Sequence, residues 1–414
     1  MKTRIPRRFI MALAGICTVL AGRPASADED FLDTLGDRMK VAALGGQINA
    51  HLGALLDFEG YYLQQPPPGL IDTNHDFIFN PRLTFNLDVQ IGPKLYFFGE
   101  ARFDRGLDPA DTHMRGRLDQ YALRFTPWDD GRFNVQIGKF ATVIGNYAGR
   151  SDSWSNPFIT APLPYENRTA MYDTEGPESA ADFHSYRFEI DERYEENPII
   201  WGPAYGTGIS ISGALGKFDY AVEMKNAPVS SPPEYWDACK LGWEHPVFNA
   251  RVGVRPDEAW NIGFSSSVGP YLVPEAADTL PPGRGIGDYR AILLGQDVSY
   301  AWHHWQLWAE FFETRFEVPY VGNADTFAYY IEAKYKFTPQ LFGALRWNQQ
   351  VYSSVPDGSG GTSPWGNDIW RIDAAITYRF TPHIQGKLQY SFLHQDFPFY
   401  ENQHLVALQV TVRF

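Results

Sequence analysis

The chain has 414 residues, with 35 basic and 49 acidic side chains, a formal charge of −14, 15% aromatic residues and two cysteines. So acidic a balance disfavours nucleic-acid binding, which needs cationic surface to neutralise phosphates. No internal stretch reaches the roughly 18 apolar residues of a membrane-spanning helix, and the length suits either two soluble domains or one large barrel.

Lys2, Arg4, Arg7 and Arg8 form a basic start, residues 9–22 are apolar, and Ala25-Ser26-Ala27 fits the small-residue cleavage rule. Residues 1–27 therefore read as a cleaved signal peptide, with the mature chain beginning at Asp28. An uncleaved anchor is the alternative, but the apolar stretch is short for a bilayer. Ile16 occupies the position where a lipidated Cys17 needs a small residue. Cleavage leaves Cys239 as the single thiol, so no intramolecular disulfide can form. It also removes five of the 35 basic residues, which leaves 30 against 49 and a formal charge of −19. Residues 28–44 then form a periplasmic N-terminal segment, with a solvated acidic start at Asp28-Glu29-Asp30 and a short helix within 31–43.

From residue 45 onward the pattern is period-2 alternation in segments of about ten residues, the length of a tilted strand crossing a bilayer. Leu83, Phe85, Leu87, Val89 and Ile91 alternate with Thr84, Asn86, Asp88 and Gln90; Leu408, Val410, Val412 and Phe414 alternate with Gln409, Thr411 and Arg413. Such sets point to opposite faces of a strand. Sixteen strands follow, near 45–59, 79–91, 95–105, 117–127, 132–141, 204–215, 217–225, 247–255, 259–268, 287–301, 304–315, 325–337, 340–350, 367–380, 384–395 and 403–414. Gln296 breaks the alternation of the tenth, as a bulge or an outward polar defect would.

Links after even-numbered strands are short, such as Gly92-Pro93-Lys94 and Pro256-Asp257-Glu258, and three of those strands end in Phe125-Thr126-Pro127, Phe337-Thr338-Pro339 and Phe380-Thr381-Pro382. Proline cannot donate to a ladder and marks the strand end. Links after odd-numbered strands are longer and rich in Gly, Pro, Ser and Asp, as in 60–78, 226–246, 269–286 and 351–366. Short turns alternating with long loops, around an even strand count, is the pattern of a bacterial outer-membrane barrel. The chain is therefore expected to be all-β, a transmembrane antiparallel β-barrel over 45–414 lodged in outer-membrane lipid.

One link, residues 141–203, far exceeds an ordinary loop. Within 150–198 it carries eleven carboxylates, including Asp152, Glu166, Asp173, Glu175, Glu178 and Asp182, against four arginines. Trp154, Phe158, Leu163, Tyr165 and Met171 make it too apolar for a solvated tether. It is expected to fold into the lumen as a constriction loop; a surface cap or protomer contact is the alternative. The inward phase of the strands places Arg102, Arg124, Arg251, Arg346, Arg371, Lys387, Glu100 and Glu332 on the pore wall. A basic wall opposite an acidic loop would set a transverse field that favours dipolar solutes; for each arginine, an ion pair with an inward carboxylate is equally economical. Trp308, Phe312 and Tyr330 also fall on the inward phase, where an aromatic track for sugars is conceivable. Trp260, Trp302, Trp305, Tyr335, Trp347, Trp370, Tyr378 and Phe380 read as interfacial girdles. No catalytic motif, metal-spaced histidine cluster or cofactor signature occurs, so no enzyme activity, metal or cofactor is expected.

With these features the chain resembles the Gram-negative porins, and within them the phosphate-selective porin O and P family. The likeness rests on the terminal Val410-Thr411-Val412-Arg413-Phe414, on Phe133-Asn134-Val135-Gln136-Ile137-Gly138-Lys139-Phe140 before the long link, and on the strand–turn rhythm of 45–414. The resemblance implies a 16-stranded, usually trimeric barrel passing small hydrophilic solutes, with phosphate selected at a constriction rich in lysine and arginine. The acidic loop departs from that constriction, so the expectation becomes a homotrimeric porin for passive diffusion with weak cation preference. A scaffolding barrel that sheathes a partner protein, a solute-specific phosphate or sugar channel, and a soluble β-rich binding protein or glycan hydrolase are the competing readings.

Overall fold

The computed structural model describes residues 31–71, 73–105, 114–189, 194–398 and 401–414. The expected signal peptide, Asp28-Glu29-Asp30, and the loop carboxylates Asp191 and Glu192 lie outside the described residues. The elements are α1 (Phe31–Arg38), β1 (Lys40–Ala43), β2 (Ile48–Leu63), β3 (Phe77–Ile91), β4 (Leu95–Asp104), β5 (Arg115–Phe125) and β6 (Asn134–Lys139). After the long link, which holds α2 (Ala180–Tyr186), come β7 (Thr207–Leu215), β8 (Phe218–Lys225), β9 (Val247–Val254), β10 (Trp260–Pro270) and β11 (Arg290–Trp302). The chain closes with β12 (Trp305–Val318), β13 (Gly322–Lys336), β14 (Leu341–Tyr352), the hairpin β15 (Ser354–Pro356) and β16 (Thr362–Pro364), then β17 (Ile369–Arg379), β18 (Ile384–Gln395) and β19 (Asn402–Arg413).

Each barrel strand pairs antiparallel with its sequence neighbours, and β19 returns to pair with β2, from Leu405 opposite Leu63 to Arg413 opposite Leu55. Sixteen strands thus form a closed antiparallel barrel in the expected order, with no free sheet edge to satisfy. β2 runs further than β19. Below Phe414, whose backbone bonds Ala54 in both directions, β1 takes over the edge of β2 and pairs with Ile48 to His51. The stretch expected as one helix is therefore a helix followed by a strand. α1 is tied to the nearby turn by His383 Nε2 and Asp33 Oδ1 at 2.8 Å.

Alternation fixes the register, because a one-residue slip would send every charged side chain outward. The outward face exposes Phe58, Phe79, Leu87, Val222, Val252, Phe264, Ile331, Leu345, Ile372 and Ile376. Aromatic rows bound this band: Trp260 on Tyr300 and Trp305 on Tyr335 at the short-turn side, Trp347 stacked on Trp370 at the other. The Phe-Thr-Pro triplets have a local cause. In two of them the threonine hydroxyl accepts the turn's backbone N–H groups, Thr338 from Gln340 and Leu341, Thr381 from His383 and Ile384.

Two expectations change. Gln296 sits in unbroken register between Phe264 and Phe311 and faces outward, so there is no bulge there. The shift falls instead at Asp119, where Glu100 pairs with Gln120 but Ala101 with Leu118. The link between β12 and β13, expected to be long, is the tight turn 319–321, because both strands extend.

Gly138 has φ +141°, and a Cβ there would meet the Tyr121 carbonyl and the Ala122 backbone. That conformation turns the strand at the Gly-Lys-Phe motif, so Lys139 is buried and its Nζ reaches Leu118 O at 3.0 Å and Asp237 Oδ1 at 2.9 Å. Gly138→Ala should destabilise the barrel by about 1–3 kcal/mol, read as a lower urea midpoint for loss of the heat-modifiable form. An unchanged midpoint would mean the glycine is dispensable.

Candidate functional site

The long link splits in two. Its first half, residues 140–171, descends into the lumen and lies against the inward side chains of β12, β13, β14, β17 and β18. Main chain held there needs hydrogen-bond partners, and the wall supplies them in rows. On β18, Gln385 donates to Ser153 O at 2.8 Å, Lys387 to the carbonyls of Ser153 and Asn156, and Gln389 accepts from Ile159 N at 2.6 Å and Thr160 N at 3.2 Å. On β14, Arg346 donates to Thr160 O and Ala161 O at 3.1 and 3.0 Å, and Asn348 accepts from Leu163 N at 3.2 Å. On β12, Glu310 accepts from the backbone of Asn146 and Tyr147 and from the Tyr165 hydroxyl at 2.6 Å.

Apolar packing completes the attachment. Ile144, Tyr147, Tyr165 and Met171 of the loop join Leu293, Phe312, Phe316, Ala324, Ala328 and Tyr330 of the wall in one core. Phe312 and Tyr330 are fully buried there, and Trp308 is the platform under the Arg150 guanidinium at 4.6 Å. These inward aromatics are consequently core and anchor residues and form no open track for sugars.

The expected pore-lining residues divide accordingly. Arg346, Arg371, Lys387 and Glu332 are at most 2% exposed, so they lie beneath the loop. Arg346 pairs with Asp373 at 2.8 Å, Arg371 with Glu166 and Asp373, and Glu332 with the loop's Arg150 at 2.7 Å. Arg102, Arg124, Arg251 and Glu100 are partly open on the wall. Arg102 binds Glu100 at 2.8 Å and Asp119 at 3.1 Å; Arg251 binds Asp219 at 2.8 Å and Asp297 at 2.7 Å. Arg124 stacks near Tyr96 and Phe98 and donates to Gln136.

Among the expected loop carboxylates, only Asp152 and Glu166 face the lumen cavities. Asp152 accepts from Trp154 N and Ser155 N, both at 2.8 Å. Glu166 is bound by Arg371 and by Ala161 N at 3.0 Å; burial pushes its carboxyl up and the Arg371 guanidinium pulls it down. The other four belong to the second half of the link, a roof over the long-loop end. Its aromatics dock on the β15–β16 hairpin region, Phe183 against Trp365 at 5.9 Å, while Tyr172 stacks on Tyr186 at 4.2 Å. Asp182 N is capped by Ser179 Oγ, Glu178 N donates to Asp182, and Glu175 receives the Tyr186 hydroxyl at 3.5 Å. Glu175, Glu178 and Asp182 thus serve the roof's own geometry and are placed outside the constriction. Asp173 is buried in the roof beside Asn197, and burial lifts its pKa from 3.8 to about 7.

Open space lies on the side the loop does not cover, against β2 to β5. A cavity of about 560 Å³ toward the short-turn end is lined by His51, Asp57, Asp88, Glu100, Asp152 and Arg413 among others. A second of about 160 Å³ toward the long-loop end is lined by Glu59, Asp104, Arg117, Glu166 and Arg371. Arg82 and Arg102 line both. Arg82 pairs with Asp57 at 3.1 Å and Glu59 at 2.6 Å, and Arg117 with Asp104 at 2.7 Å and Asp119 at 2.6 Å. Across the two linings Asp57, Glu59, Asp88, Glu100, Asp104, Asp152 and Glu166 outnumber Arg82, Arg102, Arg117, Arg371 and Arg413. The acidic loop facing a basic wall is thus replaced by an anchored loop facing a wall on which both signs interlock.

Arg82 and Arg117 were missing from the sequence-based set. Arg82 shares the even phase of Thr84, Asn86 and Asp88, a signal that was present. Arg117 has the wrong parity relative to Arg124, and only the bulge at Asp119 turns it inward.

No family model matches the sequence, and no curated protein matches it. Solved structures do. The outer membrane channel DcaP of Acinetobacter baumannii is 10% identical over 90% of this chain and all of that one, with a TM-score of 0.58. Salmonella typhi OmpF, solved with daunomycin, is 10% identical over 91% of this chain and all of that one, TM-score 0.55. The anion-selective porin from Comamonas acidovorans is 11% identical over 89% of this chain and all of that one, TM-score 0.54. At such identities the likeness is one of fold.

Arg346→Ala removes one of two guanidiniums from both Asp373 and Glu332 and the donor to Thr160 O and Ala161 O, a loss of about 3 kcal/mol. Limited proteolysis should then cut within 150–171, where the parent protein resists; equal resistance would show that Arg346 does not hold the loop. Asp173 behaves in the opposite sense to a paired carboxylate. Its folded pKa is raised, so its protonated form holds the roof best below pH ~4, and that contribution fades as the pH climbs to about 7. Hydrogen exchange across 172–189, corrected for intrinsic rate, should rise between pH 5 and 8, and Asp173→Asn should flatten the rise.

Proposed function

We propose that the protein is an outer-membrane porin for passive diffusion of small hydrophilic solutes and ions, weakly cation-preferring. The observation that carries this reading is the lumen itself: two charge-lined cavities, sharing Arg82 and Arg102, left between an anchored inward loop and the β2–β5 wall. The surrounding outward face supports the location. An exposed apolar band bounded by aromatic rows is suited to lipid and would be a severe liability in water. Export by a signal peptide over residues 1–27, a periplasmic segment at 28–44 and a homotrimeric assembly fit the same reading.

The cation preference follows from the lining, where carboxylates exceed guanidiniums and each guanidinium at the narrowing is committed to carboxylates. An entering phosphate meets Arg82, Arg102 and Arg117 with their charge already answered by Asp57, Glu59, Asp119 and Asp104. The likeness to phosphate-selective porins therefore supports the architecture and leaves phosphate as the weaker solute.

Planar bilayers provide the test. Pure protein should give stepwise conductance, with a reversal potential under a KCl gradient on the cation-selective side of zero. Asp88→Asn with Glu100→Gln should move it towards or past zero. Absence of steps defeats the channel reading and favours the scaffolding barrel; clear anion selectivity of the parent defeats the charge argument.

A further inference from the structure

The smaller cavity, toward the long-loop end, has two unlike walls. On one side stand Arg82, Arg102 and Arg117, each already bound to carboxylates. On the other stand Ile71, Ile159, Leu393 and Leu405, with the ring of Tyr61. Between them is Asn80, 3% exposed, whose Nδ2 donates to Glu59 at 3.3 Å while its Oδ1 has no hydrogen-bond partner. A buried acceptor left unmade is costly, and this one belongs to a side chain on the cavity lining. It is a place for a donor that arrives from the passage.

The chemistry of that donor is constrained. A simple anion meets guanidiniums whose charge is already answered, and a simple cation meets carboxylates equally occupied. A solute carrying both charges close together can turn each end to the opposite sign on the wall without breaking an ion pair. The apolar wall asks for a hydrocarbon group on the same solute.

We propose that this cavity is a subsite for free α-amino acids with apolar side chains. The ammonium group donates to Asn80 Oδ1 and sits beside the Glu59 carboxylate, the carboxylate turns to the outer N–H edges of Arg82 and Arg102, and the side chain rests on Ile71, Ile159 and Leu405. The inference names a solute class for the channel proposed above and rests on that reading for its biological meaning, but binding itself does not need conduction.

Isothermal titration of the folded, detergent-solubilised protein tests it, with L-leucine as probe. Saturable binding at millimolar concentration is expected for leucine. At least tenfold weaker binding is expected for 4-methylpentanoate, which lacks the ammonium, for 3-methylbutylamine, which lacks the carboxylate, and for serine, which lacks the hydrocarbon. Asn80→Leu should weaken leucine binding tenfold or more, and Ile159→Ser on the loop severalfold, with heat-modifiable mobility checking that each variant is folded. No saturable binding of leucine overturns the proposal, as does equal binding of leucine and 4-methylpentanoate, or leucine binding unchanged in both variants. Stepwise KCl conductance without leucine binding would sink the subsite and leave the porin reading standing; leucine binding without conductance would do the reverse.

Discussion

Main chain placed inside a barrel must find hydrogen-bond partners there, and the rest of the interior follows from how this requirement is met. Residues 140–171 carry enough apolar side chains to leave bulk water, yet their carbonyls and N–H groups still need partners. Rows of inward side chains provide them: Gln385, Lys387 and Gln389 on β18, Arg346 and Asn348 on β14, Glu310 on β12. Their spacing of two is the inward period of a strand, so one strand face acts as a rack for the loop. The buried ions among them are kept because removing either partner would strand the other.

That commitment makes the lumen asymmetric. Glu332 on β13, Arg346 on β14, Asp373 on β17 and Lys387 on β18 are buried and spent on the loop and its salt bridges. Charges on β2 to β5 remain beside open space, where they neutralise one another across adjacent strands. The narrowing at Arg82 and Arg102 is therefore dipolar in texture and only modestly acidic in sum. In the proposed channel such a field would discriminate by charge arrangement more than by net charge.

Much of the barrel was legible because its physics is local. Alternation, turn residues and loop lengths each report the same periodic sheet, and each of the sixteen barrel strands lies within a few residues of its expected place. The lumen was legible only in part. Parity along a strand identifies which residues point inward, as for Arg102, Glu100 and Arg346, but not whether a loop will cover them. Arg117 escaped because a single bulged residue inverts parity, a feature with no signature in the composition of β5. The loop's acidity was read as one property, whereas its carboxylates fall in two bodies: Asp152 and Glu166 beside the passage, Asp173 to Asp182 in the roof. What separates them is the apolar stretch up to Met171 that dives into the barrel and the aromatic stretch from Tyr172 that returns to its rim. Partners for Phe183 and Trp365 are far apart in the chain, so no local pattern announces the roof.

In the proposed porin, the loop held inside the lumen sets the width of the passage. Single-channel conductance of a variant in which residues 150–198 are replaced by a short Gly-Ser linker measures this directly, with heat-modifiable mobility confirming a folded barrel. A conductance several times that of the parent is the result expected of a loop that occupies the lumen. A folded variant with unchanged conductance is the contrary result and would place the loop outside the conducting path.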